Sequence, residues 1–151
     1  MMTQTIDIQN FLPHRKPMLM VDMILHICSE KVTTVFKIEE NNIFVDNGFF
    51  SEVGLIENAA QTCSSIVARA FFEDSDIENK NNVNVLGFIS AIRTLKIYTL
   101  PKSGSEIVTK SFLISKYNTE LYTTCLMDCK IFCGEELLLE GEINLFIQEK
   151  K

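Results

Sequence analysis

Hydrophobic and polar positions follow one period over most of this chain and another over a single stretch. From Ser51 to Glu73 (SEVGLIENAAQTCSSIVARAFFE), Ile56, Ala59, Ala60, Cys63, Val67, Ala70 and Phe71 recur at steps of three and four. That spacing keeps side chains on one face of a helix. Small residues fill much of the face, so a neighbouring element can come close. Ser51 fits an N-cap, and Glu52 suits the positive end of the helix dipole. Elsewhere, alternating or continuously apolar runs predict strands at Met18 to Cys28, Lys31 to Glu40, Val83 to Tyr98, Glu106 to Ser115, Glu120 to Phe132 and Leu137 to Ile147. Turn signals fall at Asn41-Asn42, Asn47-Gly48, Leu100 to Gly104, Lys116 to Asn118 and Gly134-Glu135. Ile6 to Leu12 predicts a short helical turn ended by Pro13, because the residue before a proline is pushed out of the α region. Ile43 to Phe50 reads as an irregular connection, and Glu73 to Asn82 as an acidic, mobile loop.

Two strands, one long helix and then four strands make an α+β arrangement. A helix apolar over a wide face is buried most economically by curling one antiparallel sheet of about six strands around it. With 151 residues, the chain suits a single domain, 1–151. Such a sheet leaves a free edge, so dimerisation through an edge strand is expected.

Composition narrows the function classes. Hydrophobic residues make up 46% and charged residues 23%, as in ordinary globular proteins. No apolar run reaches the roughly eighteen residues of a membrane span, and the opening MMTQTIDIQNFLP lacks a signal-peptide pattern. A cytoplasmic protein is expected. A net charge of −6 argues against non-specific nucleic-acid binding. Five cysteines include Cys125, Cys129 and Cys133 at four-residue steps. On a strand each step spans about 13 Å, too far to share one ion. Small buried thiols are the expectation, with no metal and no cofactor.

One helix residue is out of place. At about 100° per residue, Glu57 falls at the edge of the apolar stripe, beside Ala60 and Ser64. A carboxylate there needs a partner or a chemical task. Desolvation at an apolar rim raises a carboxyl pKa. An ion pair with Arg93 or Arg15 is the structural alternative. Of the two histidines, His26 lies in an apolar strand and reads as a core or interface residue; His14 lies in a polar knot, Pro13 to Pro17. Asp22 reads as a residue that orders this knot, and Gln61 either touches substrate or bonds backbone at the helix–sheet seam.

Three pieces carry a family likeness: FLPHRKPMLMVD (Phe11 to Asp22), GLIENAAQTCSS (Gly54 to Ser65) and GFISAIRTLKIYTLPKSG (Gly87 to Gly104). In order and spacing they resemble the hotdog-fold 3-hydroxyacyl-acyl-carrier-protein dehydratases, and the third is most similar to the aryl-polyene or flexirubin-type branch. The common fatty-acid enzymes of the family carry a Gly-His-Phe-Pro segment before the helix. Here that region reads Asp46-Asn47-Gly48-Phe49-Phe50, and the aryl-polyene branch likewise lacks the segment while keeping Leu-Pro-His. The resemblance therefore puts the imidazole at His14 and the acid at Glu57.

It also implies a reaction, dehydration of a carrier-bound 3-hydroxyacyl thioester. His14 is the base, and Glu57 is the acid or holds a water. Backbone N–H groups at Gly54 and Leu55 would stabilise the thioester oxygen, and Gln61, Gly87, Phe88 and Arg93 would line an acyl groove between the helix and the Gly87 strand. The partners are an acyl carrier protein and a second hotdog chain, either identical or a paralogue. Arg15, Lys16, Arg69, Arg93, Lys96 and Lys102 are the charges available to steer an acidic carrier. A non-catalytic acyl-binding subunit of a heterodimer and an acyl thioesterase are the alternatives.

Overall fold

A computed structural model of the chain describes residues 6–10, 12–74 and 85–149. The strands are β1 (Ile6–Asp7), β2 (Met23–Ile27), β3 (Lys31–Lys37), β4 (Val45–Asp46), β5 (Phe49–Phe50), β6 (Val85–Ile97), β7 (Glu106–Asn118), β8 (Thr123–Cys133) and β9 (Glu136–Glu149). A 3-10 turn spans Ile8–Asn10, and one long helix, α1, spans Glu52–Asp74. All but β4 and β5 form one sheet of seven strands in the order β1-β2-β3-β7-β8-β9-β6, with antiparallel neighbours throughout. The fold is the expected hotdog: a curled antiparallel sheet holding one central helix.

Helix α1 begins where the sequence places it. Ser51 caps it: the Ser51 carbonyl accepts from Leu55 N–H at 3.1 Å, and its hydroxyl lies 3.4 Å from the Gly54 nitrogen. Leu55, Ala59, Cys63, Ile66 and Val67 are buried against strand residues such as Val32, Ile107, Met127, Ile143 and Leu145 in one core. The buried face is wider than its apolar stripe. Asn58, Gln61, Thr62 and Ser65 are also buried, each with a hydrogen-bond partner. Thr62 meets the Thr34 hydroxyl of β3 at 2.7 Å, and Asn58 takes a hydrogen bond from Thr109 of β7. These pairs satisfy groups that would otherwise be costly to bury. The side chains of Ala70 and Phe71 lie outside the described residues.

Several boundaries differ from the expected ones. The segment expected as a strand from Met18 is regular only from Met23; Met18 and Met20 bond to the helix instead. Ile6 and Asp7 join the sheet edge before the 3-10 turn. Ile43 to Phe50 contains a hairpin, β4–β5, turned by Asn47 (φ 51°) and Gly48 (φ 81°). Positive φ at both central residues is what a two-residue hairpin requires, and Asn-Gly tolerates it. Lys116 to Asn118 is strand, not turn. The reversal falls at Thr119, whose hydroxyl accepts from the N–H groups of Leu121 and Tyr122 at 3.2 and 3.0 Å. Helix α1 runs on through the first two residues of the loop expected from Glu73 to Asn82; residues 75–82 of that loop, and 83–84 of the strand expected after it, lie outside the described residues.

Cys125 and Cys129 point to the core from β8, and Cys133 is half-buried. Burial pushes the Cys125 thiol up to about 11. A hydrogen bond to Cys63 and burial hold the Cys129 thiol well above its usual range. Such thiols are unreactive.

Candidate active site

The loop from Leu12 to Met20 crosses the first turns of α1 and brings His14 to Glu57. His14 Nε2 lies 3.9 Å from Glu57 Oε1, and the two side chains are 30% and 28% exposed. Glu57 thus faces the histidine, rather than forming an ion pair with Arg93 or Arg15. Burial lowers the His14 pKa below its usual 6.5, outweighing the upward pull of Glu57, and Arg15 lowers it further. A neutral imidazole therefore stands beside Glu57 at near-neutral pH. Among the described residues, the buried His14 Nδ1 has no hydrogen-bond partner.

Gln61 fixes the position of Glu57. It is almost fully buried, with Oε1 accepting from Met20 N–H at 2.8 Å. Its Nε2 donates to the Met18 carbonyl and to Glu57 Oε1, both at 2.8 Å. Gln61 and Glu57 are one helical turn apart, so the bond between them is local. The other two bonds fasten the histidine's loop to the helix. Asn58, one turn before Thr62, adds a third tether, donating to the Met20 carbonyl at 2.6 Å. Sequence reasoning passed over Asn58; its polarity beside Ala59 and Ala60 on a buried helix is the signal that would have found it.

The remaining expected site residues are elsewhere or otherwise engaged. Leu55 is fully buried and its N–H belongs to the first helical bond, so it is not an oxyanion donor. Gly54 answers to packing: a Cβ there would lie 2.6 Å from two Phe50 ring carbons and 2.9 Å from Phe44 Cβ. Gly87 pairs with Ile147, on the face turned to the helix. Phe88 pairs with Phe146 and is therefore on the opposite, outer face, its ring 5.0 Å from that of Phe146. It does not line a groove against α1. Arg93 is exposed on β6 inside the second of two register shifts, at Ile89/Ala91 and Ile92/Thr94.

Other expectations are corrected as well. Asp22 accepts from Lys37 N–H at 2.8 Å, joining the start of β2 to β3 instead of ordering the Pro13 to Pro17 knot. His26 is exposed on β2, not in the core. Lys16 is 3.8 Å from Glu39, Lys96 lies over the Tyr98 ring, and the Arg69 side chain is outside the described residues. A cleft of about 220 Å³ opens beside the loop, lined by Lys16, Leu19, Phe36, Lys37, Glu39 and Asn42 among others. Among the described residues no cluster of His, Cys, Asp and Glu has the form of a metal site, and no helix is long and apolar enough to cross a membrane.

A seven-stranded antiparallel sheet around one helix, with a histidine and a glutamate meeting over the helix start, defines a hotdog protein with acid–base potential. Residues 6–151 match the ApeP-like family, described as ApeP dehydratase, and the chain belongs to that family. It is 26% identical over 159 residues to the 3-hydroxyacyl-[acyl-carrier-protein] dehydratase FabZ of Sulfurovum sp. (strain NBC37-1), covering 99% of this chain and 100% of that one. The FabZ of Chlamydia muridarum (strain MoPn / Nigg) is 26% identical over 153 residues, covering 96% and 92%. Among solved structures, the dehydratase heterocomplex ApeI:P from Xenorhabdus doucetiae superposes with a TM-score of 0.78 at 18% identity, over 97% of this chain and 93% of that one. The protein is a dehydratase of the aryl-polyene branch of the hotdog fold.

Proposed function

We propose that the chain eliminates water from a carrier-bound 3-hydroxyacyl thioester, with His14 as base and Glu57 as acid. One observation carries the reading: the two groups meet within one chain, 3.9 Å apart, at a half-exposed position. Neutral His14 takes the C2 proton. The C2 electron pair forms the C2=C3 double bond as the C3–O bond breaks. The Glu57 carboxyl gives a proton to the departing hydroxyl, which leaves as water. The proton on His14 then returns to Glu57, across the gap that separates them, and the pair is reset.

Strand β6 ends the sheet and presents exposed Phe88 and Ile92. Among the described residues nothing pairs with its outer side, and an edge of this length invites another strand; this supports pairing with a second hotdog chain, identical or paralogous, in the cytoplasm. The related heterocomplex supports the paralogue. In that arrangement an acyl carrier protein delivers the substrate to a groove closed by both chains.

The test is turnover of 3-hydroxyacyl thioesters, with saturated acyl thioesters as the thioesterase control. His14→Ala and Glu57→Gln should each slow dehydration at least about a hundredfold, the usual worth of acid–base catalysis. Unchanged rates in both variants would remove the mechanism. If the purified chain is inactive and a hotdog paralogue restores activity without either residue, the acyl-binding subunit reading replaces it.

A further inference from the structure

We propose that Arg15 is a positioning residue for His14: its guanidinium holds the main chain of the loop and thereby fixes where the imidazole stands against Glu57. The proposal rests on the reading of His14 as the base. Bases of this kind are ordinarily oriented by a third group bonded to the far ring nitrogen. Among the described residues His14 has no such group: its Nδ1 is buried and meets no partner there, and its Nε2 is 3.9 Å from Glu57, beyond hydrogen-bond range. The backbone that carries the ring is what these residues hold.

That backbone is gathered by the next residue. Arg15 Nη1 donates to the Leu12 carbonyl at 2.9 Å and to the His14 carbonyl at 2.8 Å, and Nη2 reaches the Gln9 carbonyl at 3.4 Å. One planar group thus spans the segment from the 3-10 turn to His14. The Arg15 carbonyl accepts from Met18 N–H at 2.9 Å and Leu19 N–H at 3.1 Å, closing the loop on its other side. Beyond it, Met18 and Met20 are fastened to the helix by Gln61. Base and acid are therefore held by one continuous set of hydrogen bonds, with Arg15 at the base's end and Gln61 at the acid's. Donors on a charged, planar guanidinium are strong and directional, and a lysine ammonium does not reproduce the fork. The assignment also withdraws Arg15 from the two roles its sequence position suggested, ion partner of Glu57 and steering charge for a carrier.

The experiment compares the full-length chain with Arg15→Lys and Arg15→Met, each with and without His14→Ala. Two readouts are taken: steady-state turnover, and the ring resonances of the two histidines, with His26 as the internal reference. Because Arg15→Lys keeps the charge and loses the fork, it separates position from electrostatics. Both single variants should lower kcat by about 10- to 100-fold, the cost of misplacing a reacting group by about an ångström. KM should stay within about threefold, as for a contact that acts in the transition state. His14 resonances should shift while those of His26 hold, and Arg15→Met should cost nothing further in the His14→Ala background. Wild-type kcat with unmoved His14 resonances in Arg15→Lys would overturn the proposal, as would an equal loss in the His14→Ala background. A wild-type chain without dehydratase turnover removes the proposed reaction instead, and the His14 resonances of Arg15→Lys still decide the clamp. They decide it likewise if Arg15→Met fails to fold.

Discussion

Replacing Gln61 with leucine tests whether the loop–helix bond that assembles the site is also a structural one. The side chain is 1% exposed and makes three hydrogen bonds, to Met20 N–H, the Met18 carbonyl and Glu57 Oε1. Leucine is of similar size, so little cavity arises. What it cannot do is pair the two backbone groups, and a buried polar group left unpaired costs about 1–3 kcal/mol. Two of them, less the gain from burying an apolar side chain in place of an amide, give a loss of about 2–4 kcal/mol. For a chain of this length each kcal/mol lowers Tm by about 2–4 °C, so a fall of roughly 5–15 °C is expected. Urea unfolding followed by circular dichroism gives the free energy directly, and thermal scans give the shift. Ser64→Ala is the matched control: half-exposed on the same helix, its hydroxyl bonds only the helix's own Ala60 carbonyl at 2.8 Å, and its loss should stay within about 0.5 kcal/mol. If Gln61→Leu were as stable as that control, the loop would not be held by Gln61, and the placement of both His14 and Glu57 would need another cause.

Gly54→Ala should destabilise by about 1–3 kcal/mol despite alanine's better helix propensity, because its Cβ would meet the Phe50 ring at 2.6 Å; denaturant midpoints measure it. Burial lowers the His14 pKa, so between that value and 6.5 the unfolded chain binds more protons than the folded one. Stability should therefore be fully present above pH 6.5 and be lost as pH falls through the folded pKa, and His14→Gln should flatten that slope in pH-dependent unfolding. The same shift places the acid limb of the kcat/KM profile below pH 6.5. Because His14 and Glu57 meet inside one chain, mixing His14→Ala with Glu57→Ala chains should restore no activity; recovery near a quarter or more of wild type would put the pair across an interface.

Much of the architecture was legible because it is local. A 3.6-residue period, a serine cap and short turn signals depend only on neighbours in sequence, and they give α1, its start and most of the strands. Glu57 was visible for the same reason, as a carboxylate at the edge of an apolar stripe. What the sequence left open depends on register and on contacts between distant segments. Phe88 faces outward because it pairs with Phe146, one position from the inward Ile147, and a strand's facing reverses with a shift of a single residue. Two register shifts around Arg93 remove even that parity. Leu55 and Gly54 look like donors to a substrate in one dimension; in three, one N–H closes the helix and the other residue makes room for an aromatic ring. The meeting of His14 with Glu57, and the hydrogen bonds of Arg15 and Gln61 that hold it, exist only once the opening loop is laid over the helix. Periodicity reports which face of an element is buried, and only packing decides what lies against it.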